Sequence, residues 1–282
     1  MQSYLAIDVG GTKLAAGIVD ASGVIAVRDR VATPTRDVWP ALSRLVKRVI
    51  AASPEPPVAC GVGCAGPIDP IGRTVSPLHI PSWLQFPLAA ELQDLTGLET
   101  HVDTDAKALV MGEAWCGAAV GQPNFIGVVM GTGVGGGIIS SGKLLGGRLG
   151  NAGQIGHVIV EPNGRDCVCG GRGCLEAYCG GRAIEAETGR PPQRAPQAII
   201  ERTGLLVGRA LASVAALCDL RLAVIGGSVA LGFGETFFSS VQQELDLRAR
   251  LPFTAGIKVV PAGLGPDAPL IGAAALIHRA AI

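Results

Sequence analysis

Residues 4–28 read YLAIDVGG, TKLAAGIVD, ASG and VIAVR, apolar runs broken by two glycine-bearing turns, which is the pattern of a three-stranded meander. Residues 125–145 repeat that order as FIGVVMGTG, VGGGIIS and SGKLL, down to Ser-Gly in the second turn (Ser22-Gly23 and Ser141-Gly142). After the first meander the period lengthens: Val38, Leu42, Leu45, Val46, Val49 and Ile50 recur at helical spacing within 36–53. A strand over 58–66, a helix over 87–97, a strand over 100–105 and a helix over 106–119 are expected to close the first half. The second half predicts a long helix over about 197–219, then a strand (222–227), a helix (235–247), a strand (257–262) and a helix (267–281). GRPPQRAP (189–196) has the composition of a loop.

Two halves that open alike and continue as alternating strands and helices describe a duplicated α/β protein, in which a cleft between the halves is the expected ligand site. The pattern assigns 1–117 to a small N-terminal lobe joined by the C-terminal helix 267–282, and 118–266 to a larger lobe. A chain of 282 residues is long enough for two such cores.

Charge removes several function classes. Lys and Arg total 23, as do Asp and Glu, so no basic surplus points to nucleic acid or an anionic membrane as a partner. The N-terminal MQSYLAIDVGG starts as a strand without a charged leader or an apolar signal core. LLVGRALASVAALC (205–218) is too short to span a bilayer. A cytoplasmic location is therefore expected. Of eight cysteines, Cys167, Cys169 and Cys174 fall within eight residues, and the rest lie scattered in apolar contexts. Buried free thiols plus one metal cluster fit this spacing better than a disulfide framework.

A glycine turn between strands lets backbone N–H groups approach phosphate oxygens. Gly10, Gly11 and Thr12 in the first hairpin, with Lys13 as a cation, and Gly131, Thr132 and Gly133 in the second are placed to do so. Taken singly, each cluster reads as a tight hairpin turn. Two at matching positions in two repeats point to a polyphosphate. GTGVGG (131–136) satisfies the dinucleotide spacing G-x-G-x-x-G, but Ile138-Ile139-Ser140-Ser141-Gly142 follows as a hairpin rather than a helix. DVGGTK likewise lacks Walker A spacing.

DVGGTK (8–13), MGTGVGGGI (130–138), NAGQIGH (151–157) and CVCGGRGCLE (167–176) together resemble the ROK family of sugar kinases, members of the actin/hexokinase/Hsp70 ATPase fold. IPSW (80–83), GEAW (112–115) and VIGGSVA (224–230) fit as well, while 177–204 is shorter than the family pattern. The resemblance implies duplicated ribonuclease-H-like halves. It also implies ATP- and Mg²⁺-dependent transfer of the γ-phosphoryl group to a sugar hydroxyl, commonly the 6-OH of a hexose. Such transfer relies on positioning, charge neutralisation and a base for the hydroxyl proton. The family's base is the Asp of Asn-Asp-Ala; the match here is Thr104-Asp105-Ala106, which implies Asp105 as base. Asp105 also reads as the N-cap of the helix 106–119. Asp103, two residues earlier, is expected either to raise the pKa of Asp105 or to be an exposed strand-end carboxylate. Gly66, Thr104, Gln154, His157 and Glu176 are the implied sugar contacts, Glu176 reading equally as a first-turn helix acid. Asp8, Gly10, Gly11, Thr12, Lys13, Thr132 and Gly133 are implied on the phosphate side; Gly226 and Gly227 on the adenosine side read equally as a strand-to-helix turn.

His157, Cys167, Cys169 and Cys174 make a Cys₃His set, the composition of a closed structural Zn²⁺ site with no position left to activate water. In the family the zinc fixes the His through one ring nitrogen and frees the other for a sugar hydroxyl. Two sugar-facing positions depart from the pattern: Asn becomes Thr104 and Glu becomes Gln154. Either the substrate is not glucose but a sugar such as N-acetylmannosamine, an amino sugar or a cyclitol, or the replacements are tolerated. Resemblance to the family's sugar-sensing repressors is disfavoured because the phosphate motif begins at Asp8 and the charge is balanced. A filament or chaperone ATPase would leave the zinc-supported wall unexplained. Family members form dimers or tetramers, so a homodimer or homotetramer is expected.

Overall fold

The computed structural model describes residues 2–69, 74–77 and 80–278. The chain forms two compact units, one comprising Met1–Val120, Gly146–Ala152 and Leu264–Ile282, the other Gly121–Leu145 and Gly153–Gly263.

The first unit carries β1 (Ser3–Val9), β2 (Lys13–Asp20), β3 (Ile25–Ala32), β4 (Ala59–Cys64) and β5 (Thr100–Thr104) in the order β3-β2-β1-β4-β5. The meander strands pair antiparallel, whereas β1–β4 and β4–β5 pair parallel. All seven residues of β1 are buried, because helices cover both faces of the sheet. Leu5, Ile7 and Val9 point to one core with Leu42, Leu45 and Val46 of α1 (Val38–Ala51) and Leu88 of α2 (Leu88–Thr96). Tyr4 and Ala6 point to the other, against Leu270, Ala273 and Ala274 of α8 (Ala268–His278). That two-sided burial is why the strand reads as a continuous apolar run rather than an alternation. α3 (Asp105–Cys116) leaves the end of β5 and packs along α8.

The second unit repeats the plan. β6 (Phe125–Met130), β7 (Val134–Ser140), β8 (Lys143–Leu144), β9 (Leu222–Gly226) and β10 (Lys258–Pro261) form a sheet ordered β10-β9-β6-β7-β8. Counted from the start of each half, both sheets follow the order 3-2-1-4-5, with an antiparallel meander and two parallel additions. This is the duplicated ribonuclease-H-like α/β fold of the actin-like ATPases. α6 (Gln197–Cys218) and α7 (Ser228–Arg248) pack on each other and over this sheet, where Leu206, Leu211 and Phe237 join Ile126, Val128 and Met130.

The helix expected over 235–247 is present beyond Gly234, whose backbone (φ 61°, ψ −149°) leaves the helical region and divides α7; a helical stretch over 228–233, directly after Gly227, precedes it and was not expected. Val229, Ala230 and Phe233 are buried, so core packing draws this stretch into a helix despite Gly232. The expected loop 189–196 contains a 3₁₀ turn at Pro192–Arg194 and follows two short helices, α4 (Glu176–Cys179) and α5 (Gly181–Thr188), which the hydrophobic pattern does not signal. The tail of the helix expected over 267–281 lies outside the described residues beyond His278. All eight cysteines are free, and no helix among the described residues is long and apolar enough to cross a membrane.

Candidate functional site

In the first unit the site residues gather at the carboxyl ends of the parallel strands, where open α/β sheets hold ligands. Register places Asp8 of β1 opposite Gly63 of β4, and Gly63 opposite Asp103 of β5; one step on, Val9, Cys64 and Thr104 are aligned. Asp8 is 8% exposed. Burial raises its carboxyl to about 7; the facing Asp105 carboxylate adds to the rise and Lys13 opposes it. The buried Cys64 thiol is also pushed up, first by desolvation and then by Asp105 and Asp8, so the two carboxylates and the thiol share one neighbourhood. The β1–β2 turn is closed by Gly10 donating to the Lys13 carbonyl at 3.0 Å, and Thr12 and Lys13 are exposed.

Asp105 is not the helix cap. Thr104 is: its backbone is extended (φ −65°, ψ 148°), and its Oγ1 accepts from the Lys107 amide at 3.3 Å. Asp105 is the first helical residue and is exposed, with Oδ1 accepting from the Ala106 amide at 2.8 Å. Asp103 is half-buried rather than exposed; it accepts from the Thr104 amide at 2.7 Å and pairs with the Lys107 ammonium at 3.5 Å, while the Asp105 carboxylate acts on that of Asp8. Thr104 is buried, and its methyl lies near Gly66, where a β-carbon would stand 3.7 Å from Thr104 Cγ2. Gly66, Thr104, Asp8 and Asp105 therefore come together, as do Gly10, Gly11, Thr12 and Lys13.

In the second unit the corresponding turn, Gly131–Gly133, is closed by Gly131 donating to the Gly133 carbonyl at 3.0 Å. α5 points into it: the Gly181 amide donates to the Gly131 carbonyl at 2.8 Å and the Arg182 amide to the Thr132 carbonyl at 3.1 Å. Glu176 Oε2 accepts from the Val134 amide at 2.8 Å, fastening α4 to the start of β7. Residues 155–157 form a 3₁₀ turn whose Gly156 lies against the same residue, for a β-carbon there would be 2.1 Å from the Val134 carbonyl oxygen. Gln154, His157 and Glu176 are thus all carried by segments anchored at Val134, and Gln154 and His157 are exposed. Gly226 ends β9, and Gly227 adopts φ 93° where a β-carbon would be 2.2 Å from the Met130 carbonyl oxygen. Only glycine permits that approach, which brings the start of α7 to the end of β6.

His157, Cys167, Cys169 and Cys174 converge, with one donor atom from each lying within 4.8 Å of the others. His157 Nδ1 is 3.9 Å from Cys167 Sγ, and Cys169 Sγ is 3.7 Å from Cys174 Sγ. Four donors about 2.3 Å from one ion in a tetrahedron are separated by about 3.8 Å, so the edges fit zinc. Backbone bonds shape the loop: Cys167 donates to Gly171 at 2.8 Å, Gly170 to Cys167 at 2.9 Å and Gly173 to Arg165 at 2.8 Å.

Lys107 was not signalled by any motif. Its cue is a cation in the first turn of a helix, where the helix dipole disfavours positive charge.

Comparison with known proteins follows the same lines. The ROK family pattern matches residues 4–280. Over 311 aligned residues the chain is 31% identical to a glucokinase from Thermotoga maritima, covering 98% of this chain and 97% of that protein. It is 33% identical over 289 residues to an N-acetylmannosamine kinase from Escherichia fergusonii, covering 96% and 97%. Its structure is similar to that of a ROK family glucokinase from Streptomyces griseus in complex with glucose and AMPPNP, with a TM-score of 0.82, 30% identity and coverage of 97% and 98%. Motifs, duplicated topology and near end-to-end similarity converge on one assignment: the chain belongs to the ROK family.

Proposed function

We propose that the protein is an ATP-dependent kinase that transfers the γ-phosphoryl group to the 6-hydroxyl of a hexose or hexose-like sugar. The observation that carries this reading is an exposed carboxylate, Asp105, facing the buried carboxyl of Asp8 at the strand ends of the first unit. Asp105 accepts the hydroxyl proton as the oxygen attacks phosphorus. The amides of Gly11, Thr12, Thr132 and Gly133 hold phosphate oxygens, Gly10 shapes the turn through its own bond to the Lys13 carbonyl, Lys13 balances the phosphate charge, and Gly226 and Gly227 border the adenosine. Mg²⁺ supplies charge neutralisation of the transferring phosphoryl when bound, and Asp8 is the carboxylate that suits it. His157 through Nδ1, with Cys167, Cys169 and Cys174, holds a structural Zn²⁺. That leaves the other ring nitrogen of His157 to join Glu176, Gln154, Thr104 and Gly66 in sugar recognition.

One observation favours a substrate other than glucose. The Thr104 hydroxyl is occupied as the cap of α3, and its methyl lies beside Gly66, so the position offers the sugar less than an amide would. N-acetylmannosamine, amino sugars and cyclitols are the corresponding candidates. The proposal extends to a homodimer or homotetramer in the cytoplasm, measurable by light scattering.

Sugar-dependent ADP release over glucose, mannose, allose, N-acetylmannosamine, N-acetylglucosamine, amino sugars and cyclitols tests the reaction. Asp105→Asn should lower kcat by roughly 10²- to 10⁴-fold with zinc content intact. ATP hydrolysis indifferent to every sugar, or full activity in Asp105→Asn, would overturn the reading.

A further inference from the structure

Lys107 is 2% exposed and is among the largest fully buried side chains of the described residues. A buried ammonium persists only where its donors are matched, and helix preference does not place it here, because it lies in the first turn of α3. Its partners explain it. Nζ donates to the Gly150 carbonyl and pairs with Asp103 Oδ1 at 3.5 Å. Its backbone amide donates to the cap, Thr104 Oγ1, at 3.3 Å. One residue therefore touches both neighbours of Asp105 on the β5 side and reaches a distant segment.

That segment is the loop Gly146–Ala152. It groups with the first unit, although the residues on either side of it, Leu145 and Gly153, group with the second. The loop has its own closure: the Ala152 amide donates to the Gly146 carbonyl at 3.0 Å, and Asn151 Nδ2 to the Leu149 carbonyl at 2.7 Å. Neither bond reaches α3, and Gly146 through Leu149 are exposed. The Lys107 bond to Gly150 ties the loop to the turn that carries Asp105. Two residues past its end the chain reaches Gln154, and five past its end His157.

We propose that Lys107 is a positioning residue for sugar recognition. Its ammonium clamps the Gly146–Ala152 loop to the first turn of α3, and so sets where the chain enters the Gln154–His157 segment. Asp103, neutralised by the same ammonium, keeps its bond to the Thr104 amide and holds the cap in place. The proposal rests on the sugar-kinase reading and adds to it a residue that touches neither substrate.

The test compares the full-length, zinc-loaded wild type with Lys107→Met, which keeps the apolar stem and removes the donors, and Lys107→Gln, which keeps a shorter neutral donor. Trypsin cleavage between Arg148 and Leu149, followed by mass spectrometry, reports on the clamp without reference to activity. Cleavage should quicken by about tenfold in Lys107→Met, with Lys107→Gln between it and wild type. The KM for the sugar should rise by about tenfold in the same order, while the KM for ATP stays within about twofold and zinc content is unchanged. Wild-type cleavage in Lys107→Met overturns the clamp. Faster cleavage with an unchanged sugar KM, or an equal rise in both KM values, overturns the positioning role. Wild type that turns over no sugar while Lys107→Met is cleaved faster refutes the kinase reading and leaves the clamp standing.

Discussion

Replacing Asp8 by Asn isolates the energetic consequence of burying a carboxyl at the end of β1. In the folded protein, free of nucleotide and Mg²⁺, that carboxyl stands at about 7 against an ordinary 3.8, chiefly through burial and then through Asp105, with Lys13 pulling the other way. At about 1.4 kcal/mol per tenfold change in the proton equilibrium, the difference amounts to roughly 4 kcal/mol. Its sign follows from which state holds the proton. Between about pH 4 and pH 7 the folded chain binds a proton at Asp8 that the unfolded chain has released, so stability falls as pH rises through this window and levels off above it. The amide of Asn has no proton to lose. Asp8→Asn should therefore gain stability relative to wild type as pH rises, by about 2 kcal/mol between pH 5.5 and 8.

Thermal unfolding of both proteins, zinc retained and magnesium absent, measures the difference. A relative shift of roughly 4–8 °C across that interval corresponds to the expected change for units of this size. Comparing the two proteins cancels the histidines and the other carboxylates. A difference in melting temperature that stays flat within about 1 °C would show that Asp8 ionises normally in the fold. If Lys13 outweighed burial and Asp105, this interval would also stay flat, and wild type would instead lose stability relative to Asp8→Asn as pH falls below about 4.

Other consequences can be measured directly. Gly156→Ala places a β-carbon 2.1 Å from the Val134 carbonyl oxygen, which is fixed in β7, and should cost about 3 kcal/mol or more in urea unfolding; a neutral result would mean the 3₁₀ turn is not pinned at Val134. Glu113, 0% exposed, accepts from the amides of Ala118 at 2.7 Å and Leu264 at 3.1 Å. Glu113→Gln can accept through one oxygen only and should lose about 1–3 kcal/mol in the same assay. Cys174→Ser should release zinc, detected by a chromogenic chelator, and raise the KM for the sugar by roughly 10- to 100-fold with little change in the KM for ATP. Thr104→Asn should move kcat/KM towards glucose over N-acetylmannosamine by about tenfold or more, and an unchanged ratio would remove Thr104 from sugar selection.

The duplication was legible because each half opens with two apolar runs around a glycine turn and continues with helical and strand periods. The His/Cys cluster was legible because four potential metal donors, one imidazole and three thiols, fall within eighteen residues, Gly170 and Gly173 at φ 86° and 76° marking the tight turns between them. Less could be read where two residue types compete for one task. Thr104 and Asp105 are both good caps, and only the backbone shows that β5 ends with Thr104 extended while Asp105 has already entered the helix. The helical stretch 228–233 was hidden because Gly232 lowers helix propensity, which the burial of Val229, Ala230 and Phe233 outweighs, and because Gly234 separates it from the helix that the pattern does predict. The hydrogen bond from the Val134 amide to Glu176 spans 42 residues and leaves no local mark. Nor does the bond from Lys107 to Gly150, which spans 43.

The two glycine turns show what duplication preserved and what it let diverge. By register Val9 pairs with Leu14 and Met130 with Val134, so Asp8 corresponds to Val129 and Leu14 to Val134, with Lys13 closing a first turn that is one residue longer. The first turn keeps a carboxyl on one side and an ammonium on the other, whereas both flanks of the second are apolar. The amide of Val134 is not spare, since it is committed to Glu176, whose segment continues directly from Cys174 of the His/Cys cluster. Charge is therefore concentrated at the first turn, while the second is flanked by apolar side chains and steadied by Glu176. Exchange of the flanking residues should accordingly be unequal in effect. Lys13→Met removes charge from an exposed turn position, while Val134→Lys buries a cation where the fold holds an apolar side chain that is 3% exposed.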